Sequence, residues 1–222
     1  MIKAIVTDIE GTTTSADFVK DVLLAYALDR LAAFLLMYHN EAQTAKLLKQ
    51  LEASGETGSP LESVQYLYDK MARGKLSKEY KAIQSRICEL GYESGELKGH
   101  VFEDVAEVLK RWRYDGRLLY SFSSISAAEQ IHMFTHTVYG NLAKCFKGFF
   151  DTTQGGKKEV QSYVSMAAKL DLKIGEGMYL SDHIDELDAA AHAGWQTVQI
   201  VRDAGILRGR HKTVTDFYAL AF

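Results

Sequence analysis

The feature that most constrains this chain is an isolated apolar run, Lys3 to Val6, whose only strand-like partners lie beyond residue 100. The run is short and partly β-branched, which predicts a buried strand. It stops at Thr7-Asp8, and Gly11 followed by Thr12, Thr13 and Thr14 predicts a turn. A strand that must wait about a hundred residues for neighbours implies a domain interrupted by an insertion. From Gly99 onward strand-like and helix-like segments alternate. Helices are expected at 102–114, 127–137, 159–170 and 184–193, and strands at 117–122, 147–150, 177–180 and 197–201. Such alternation predicts a parallel α/β sheet with right-handed crossovers.

The stretch between has a different rhythm. Val19, Val22, Leu23, Tyr26, Ala27, Leu31, Phe34 and Leu35 recur at threes and fours, predicting a helix over 18–38. A second is expected over 41–53, with Ala45, Leu48 and Leu51 inward. A turn cluster, 54–60, follows. Helices over 61–73 (Val64, Leu67, Tyr68, Met71 inward) and 77–91 (Tyr80, Ile83, Ile87, Leu90 inward) complete a four-helix block. The domain reading is therefore an α/β core of residues 1–15 and 99–222 with an all-helical cap of 16–98.

Chain length of 222 residues and 47% hydrophobic content suffice for one core plus a small cap. A net charge of −3 offers no polyanion-binding surface, so no nucleic-acid partner is expected. Cys88 and Cys145 have no metal-ligand spacing and read as buried packing residues of a reducing setting. No basic region precedes the apolar start, so no signal peptide is expected. The most apolar long segment, 19–38, carries Asp21, Asp29 and Arg30 and makes a poor membrane span. A cytoplasmic monomer without membrane contact is the expectation.

Polar punctuation collects at four strand ends. Asp8, with Glu10 two residues on, ends the first, where open α/β sheets place ligands. It suits a nucleophile and metal ligand, or a structural cap. Ser123 and Ser124 end the second, before a helix whose Ser126 and Glu129 have capping-box spacing. They suit a phosphate at a helix N-terminus, or simply terminate a strand. Lys157, beside Lys158, precedes the next helix, where a cation opposes the macrodipole unless an anion sits alongside. The plainer alternative is a solvated lysine pair. Asp182 ends the fourth strand, with Glu186 one helical turn later on the same side. Four acids over 182–188 could merely complement a helix dipole, but an acid apposed to Asp8 suits a hard divalent cation. His183 reads as a loop residue near the mouth.

In this order, Asp-x-acid-Gly-Thr, Ser-Ser, Lys and Ser-Asp-x-x-x-acid, the chain resembles the haloacid-dehalogenase-like superfamily of phosphotransferases along its whole length. The resemblance implies a Rossmann-like, doubly wound parallel sheet of order 3-2-1-4-5 with the nucleophile strand central. Segments 4–13, 18–23, 161–163, 180–182 and 186–190 look more closely like the enolase-phosphatases of methionine salvage, also called acireductone synthases, with Glu10 as their signature acid. That resemblance implies conversion of 2,3-diketo-5-methylthiopentyl-1-phosphate to its enol and then to the acireductone. Asp8 would be the nucleophile, Glu10 the general acid/base and Lys157 the charge stabiliser. Ser123, Ser124 and Lys157 would bind phosphate, and Glu186 would orient Lys157. Asp8, Asp182 and the Glu10 main-chain carbonyl would hold Mg²⁺. Two positions depart from the family pattern: Ile125 replaces a glycine, costly if that position needs φ > 0, and Ser15 replaces a proline. A phosphatase acting on another small phosphorylated metabolite, a phosphate-binding member without turnover, and a receiver-type domain are the competing readings.

Overall fold

In the computed structural model, residues 2–53, 58–73 and 78–220 are described. They form two compact units, one of residues 1–16 and 98–222 and the other of 17–97.

The first unit is built on β1 (Ala4–Thr7), every residue of which is buried. A strand covered on both faces must be apolar on both, which is why Ala4-Ile5-Val6 shows no alternation. β1 pairs in parallel with β2 (Leu118–Ser123) on one side and β4 (Gly177–Ser181) on the other. β3 (Gly148–Asp151) extends the sheet beyond β2, and β5 (Gln196–Ile200) extends it beyond β4. The 3-2-1-4-5 order is thus present. A sixth parallel strand, β6 (Lys212–Val214), pairs with β5 and gives the order β3-β2-β1-β4-β5-β6. β6 was not expected from the sequence, because three residues are too few for a readable period.

Helices α5 (Glu103–Tyr114), α6 (Ala127–Thr135), α7 (Val160–Lys169) and α8 (Ile184–His192) follow the sequence expectations to within a few residues. The expected capping box is present: Ser126 accepts from the Glu129 amide while Glu129 reaches back to Ser126. The spacing of Val160, Tyr163, Val164, Ala167 and Leu170 predicts that these line the inward face of α7, and the structure differs. Ser162, Tyr163 and Met166 are buried, whereas Val160 and Val164 are exposed. Tyr163 sets that phase, since its ring packs edge-on against Phe122, Tyr179 and Trp195 in the core.

Among its described residues the second unit has four α-helices: α1 (Leu24–Tyr38), α2 (Ala42–Ala53), α3 (Pro60–Ala72) and α4 (Lys78–Ser94). α1 packs on α3 and α4, and Ala27, Leu31, Phe34 and Leu35 of α1 are buried with Leu51, Leu67, Ile83 and Ile87. Phe18–Leu23, ahead of α1, is wound as a π-helix. Its wider turn shifts the apolar phase, so Val22 faces solvent while Phe18 and Leu23 are buried. Tyr68 is likewise exposed, and Ser63 and Leu67 form the buried side of α3. The side chains of Met71 and Tyr80, and residues 54–57 of the expected turn cluster, lie outside the described residues. Cys88 and Cys145 are buried thiols that form no disulfide. No described helix is long and apolar enough to cross a membrane.

Candidate active site

Parallel pairing puts the carboxyl ends of β1, β2 and β4 at one edge of the sheet. Thr7 is in register with Ser121 and Leu180. The Asp8 amide continues the ladder by donating to the Leu180 carbonyl at 2.8 Å. Asp8 is therefore level with the end of β4, and Asp182 lies one residue beyond that level. Separations of more than 170 residues in the chain vanish because register, not sequence, sets the neighbours.

Lys157 comes to Asp8 from the loop before α7. Its Nζ lies 2.5 Å from Asp8 Oδ1 and 2.9 Å from Glu186 Oε2. The lysine is not on the helix itself, because α7 starts at Val160. Tyr163 holds the Lys157 main chain by donating to its carbonyl at 2.7 Å. Lys158 diverges from it and pairs with exposed Asp185. The two readings of the lysine pair are thus divided between its members.

Glu186 Oε2 is crowded with donors: Tyr179 OH at 2.9 Å and Ser181 Oγ at 3.0 Å, besides Lys157. Ser181 Oγ also lies 3.3 Å from Asp8 Oδ2. A hydroxyl has one proton, and the shorter contact assigns it to Glu186. Asp182 is fixed through its backbone, its amide donating to Thr12 Oγ1 at 3.0 Å and its carbonyl accepting from Gln199 Nε2 at 3.1 Å. Its carboxylate lies over Gly11, where a Cβ would stand 2.3 Å from Oδ2.

Three carboxyl groups, Asp8, Asp182 and Glu186, gather around one ammonium, so acids outnumber cations. The titration shifts follow. Asp8 is pushed up to about 7, first by burial and then by Glu186 and Asp182, against the pull of Lys157. Asp182 is raised by burial and by Glu186. Lys157 is raised because Asp8 and Glu186 outweigh the cost of its burial. Among the described residues no group of three or more His, Cys, Asp or Glu side chains has metal-ligand geometry. The site does not need one: Mg²⁺ takes one or two carboxylates and fills its octahedron with carbonyls, waters and substrate oxygens. Two neighbouring acids short of positive charge fit such an ion.

Ser123 is buried at the end of β2, and its Oγ accepts from the Ile125 amide at 3.3 Å. Ser124 is exposed in the turn that follows. The expected penalty at Ile125 is absent: Asp171 is the one non-glycine residue with positive φ among the described residues. Glu10 is half-buried in the turn after β1, where it bridges to Thr14. His183 is the exposed loop residue just before α8, without a side-chain cap to the helix, and its amide donates to Ser181 Oγ.

Several residues that build the site were not singled out from the sequence. Gln130 is fully buried and holds the Ser123–Ser126 turn, donating to the Ile125 and Phe150 carbonyls and accepting from Ser121. Tyr179 and Ser181 stand in a strand buried throughout. Their available signal was polarity in an otherwise apolar run, since buried polar groups need partners.

The chain is 40% identical over 219 residues to enolase-phosphatase E1 of Erwinia tasmaniensis, a match covering 98% of this chain and 96% of that one. The chain belongs to the enolase-phosphatase family. No protein-family model matches it. The crystal structure of UTR4 protein from Saccharomyces cerevisiae superposes with a TM-score of 0.84 at 24% identity, covering 99% of this chain and 100% of that one. The HAD-hydrolase YfnB of Bacillus subtilis, solved bound to magnesium, superposes at 0.59 with 13% identity over 98% and 96% of the two chains. The fold is that of haloacid-dehalogenase-like hydrolases, as the motif order implied.

Proposed function

We propose that this enolase-phosphatase acts through Asp8 as nucleophile, with the site residues in the roles below. The observation that carries the reading is the clamp on Asp8: a lysine 149 residues away in sequence is held between Asp8 and Glu186 at the sheet edge. A pure phosphate binder needs the cation but not a carboxylate in its grip.

The substrate is 2,3-diketo-5-methylthiopentyl-1-phosphate, which is first enolised and then dephosphorylated to the acireductone. An Asp8 oxygen attacks phosphorus in line, the P–O bond to the enol breaks, and an aspartyl-phosphate forms. Water then attacks that phosphorus, releasing inorganic phosphate and regenerating Asp8. Lys157 offsets charge on the equatorial oxygens, and Glu186, Tyr179 and Ser181 keep its ammonium aimed at them. Ser123 and Ser124 hold the phosphate through hydroxyl and N–H contacts. Glu10 protonates the leaving oxygen, then takes a proton from the attacking water. Its reach past the turn also suits proton transfer during enolisation.

Asp8, Asp182 and the Glu10 carbonyl hold the divalent cation, taken as Mg²⁺. When bound it neutralises phosphoryl charge that would otherwise repel an anionic nucleophile. We assign the helical unit the part of a cap that selects the ester, and place the enzyme in the cytoplasm as a monomer.

The test is to supply the diketo phosphate with Mg²⁺ and follow enol absorbance and free phosphate together. The wild type should give both signals, and Asp8→Asn should keep the fold and lose phosphate release. Phosphate release by Asp8→Asn at the wild-type rate would remove the nucleophile assignment.

A further inference from the structure

The chain leaving β5 reaches back to the turn after β1. Arg202, two residues beyond the strand, is mostly buried and grips two partners at once. Its Nε and Nη2 donate to the Thr12 carbonyl at 3.2 and 3.1 Å, and its Nη1 donates to Asp104 at 2.9 Å. Asp104 is anchored in turn, its Oδ2 accepting from the Phe217 amide at 2.7 Å. The guanidinium carbon lies over the Phe102 and Phe217 rings, 4.3 and 5.4 Å from their centroids. A planar fork can serve a carbonyl and a carboxylate together, which an ammonium cannot do.

What Arg202 grips matters more than how. Thr12 is fully buried, and its hydroxyl oxygen takes the Asp182 amide. On the far side Gln199, from β5 itself, takes the Asp182 carbonyl. The Asp182 backbone is thereby held between two side chains, one of them set by Arg202 through Thr12. Its carboxylate is left lying on Gly11, beside Asp8.

We propose that Arg202 is a positioning residue for the Asp182 carboxylate, fixing the apposition of Asp8 and Asp182 on which divalent-cation binding depends. The inference rests on the reading of those two acids as the cation's ligands. Arg202 touches neither acid; it acts through the Thr12 carbonyl and hydroxyl. If it served only to close the layer between Phe102 and Phe217, its loss would lower stability and leave cation affinity unchanged.

The experiment is calorimetric titration of Mg²⁺ into substrate-free wild type, Arg202→Lys, Arg202→Met and Thr12→Val, with circular dichroism to establish folding. Arg202→Met should bind Mg²⁺ about tenfold more weakly or worse, the range for lost outer supports of a metal ligand. Arg202→Lys should fall between it and the wild type. Thr12→Val keeps the volume and removes the acceptor for the Asp182 amide, so it should weaken binding similarly and carries the test if Arg202→Met does not fold. For Arg202→Met, the KM for the phosphate ester at saturating Mg²⁺ should stay near the wild-type value. A folded Arg202→Met with wild-type Mg²⁺ affinity overturns the inference, as does a wild type that binds no Mg²⁺. A wild type that binds Mg²⁺ but releases no phosphate refutes the catalytic reading and leaves this comparison standing.

Discussion

Two glycines offer a matched pair that separates the cost of a turn from the cost of a displaced ligand. Gly11 and Gly116 have nearly the same left-handed backbone, with φ of +71° and +79°. An alanine at either position carries the left-handed penalty of an L-residue, about 1–2 kcal/mol. Their surroundings differ. A Cβ on Gly116 meets nothing within 4 Å, whereas one on Gly11 would stand 2.3 Å from Asp182 Oδ2 and 2.7 Å from its Cγ. Ordinary contact begins near 3.4 Å, so the carboxylate must retreat by about 1 Å, a misplacement worth on the order of a hundredfold in rate. Gly116→Ala should therefore lower the melting temperature by roughly 2–8 °C and leave turnover untouched. Gly11→Ala should cost a similar amount of stability, with turnover down about a hundredfold and the Mg²⁺ activation curve moved to higher concentration. Thermal melts and phosphate release over a Mg²⁺ series measure both quantities on the same preparations. Equal turnover of the two folded variants at limiting Mg²⁺ would refute the placement of Asp182 against Gly11 as a functional constraint.

Lys157→Met should cost on the order of a hundredfold or more in phosphate release and about 3–5 kcal/mol of stability, since it strands two buried carboxylates. The pH dependence has a definite sign. The folded-state pKa of Lys157 lies above its ordinary value of 10.5, so its contribution is complete below that value and lost only as pH rises past it. The stability gap to wild type, read by urea melts, should widen from about pH 7 to 9, because without the pull of Lys157 the buried Asp8 carboxyl titrates higher still and costs more to ionise, and should narrow only in strong base. Glu10→Ala should abolish phosphate release and enol formation alike, by the two-signal assay. Retained enol formation would confine Glu10 to the phosphoryl step.

The fold was legible because its signals are long and periodic. A lone buried strand, an inserted helical block and an alternating second half leave few topologies, and resemblance supplied the strand order. The convergence of Asp8, Lys157 and Asp182 was foreshadowed by polar residues at or shortly after strand ends, and the roles assigned to them are proposals. The site was opaque where side chains act through others. Gln130, Gln199 and Arg202 stand in or beside ordinary elements, and only coordinates show that each satisfies carbonyls from a different part of the chain. The phase errors at Val22 and Val164 have a common origin. Threes-and-fours spacing fixes a face only for an unbroken α-helix, and one wide turn or one large aromatic anchor rotates it.

Carboxylates that repel one another do not gather of their own accord, so something else must hold Asp8, Asp182 and Glu186 together. Lys157 answers for part of the charge. The other restraint is the main chain. Asp8 is locked by its amide to Leu180, Asp182 by its amide and carbonyl to Thr12 and Gln199, and Glu186 by its place in the first turn of α8. Each acid is fixed by backbone bonds whose formation does not require its own charge. Cooperative sheet formation can thus carry the electrostatic cost of the acids, concentrating it at the one edge where, under the proposed function, a cation and a phosphoryl group would relieve it. The same logic explains why the supporting residues are uncharged amides and hydroxyls or, in Arg202, a cation already neutralised by Asp104. A further free charge at that edge would alter the imbalance on which the proposed cation binding rests.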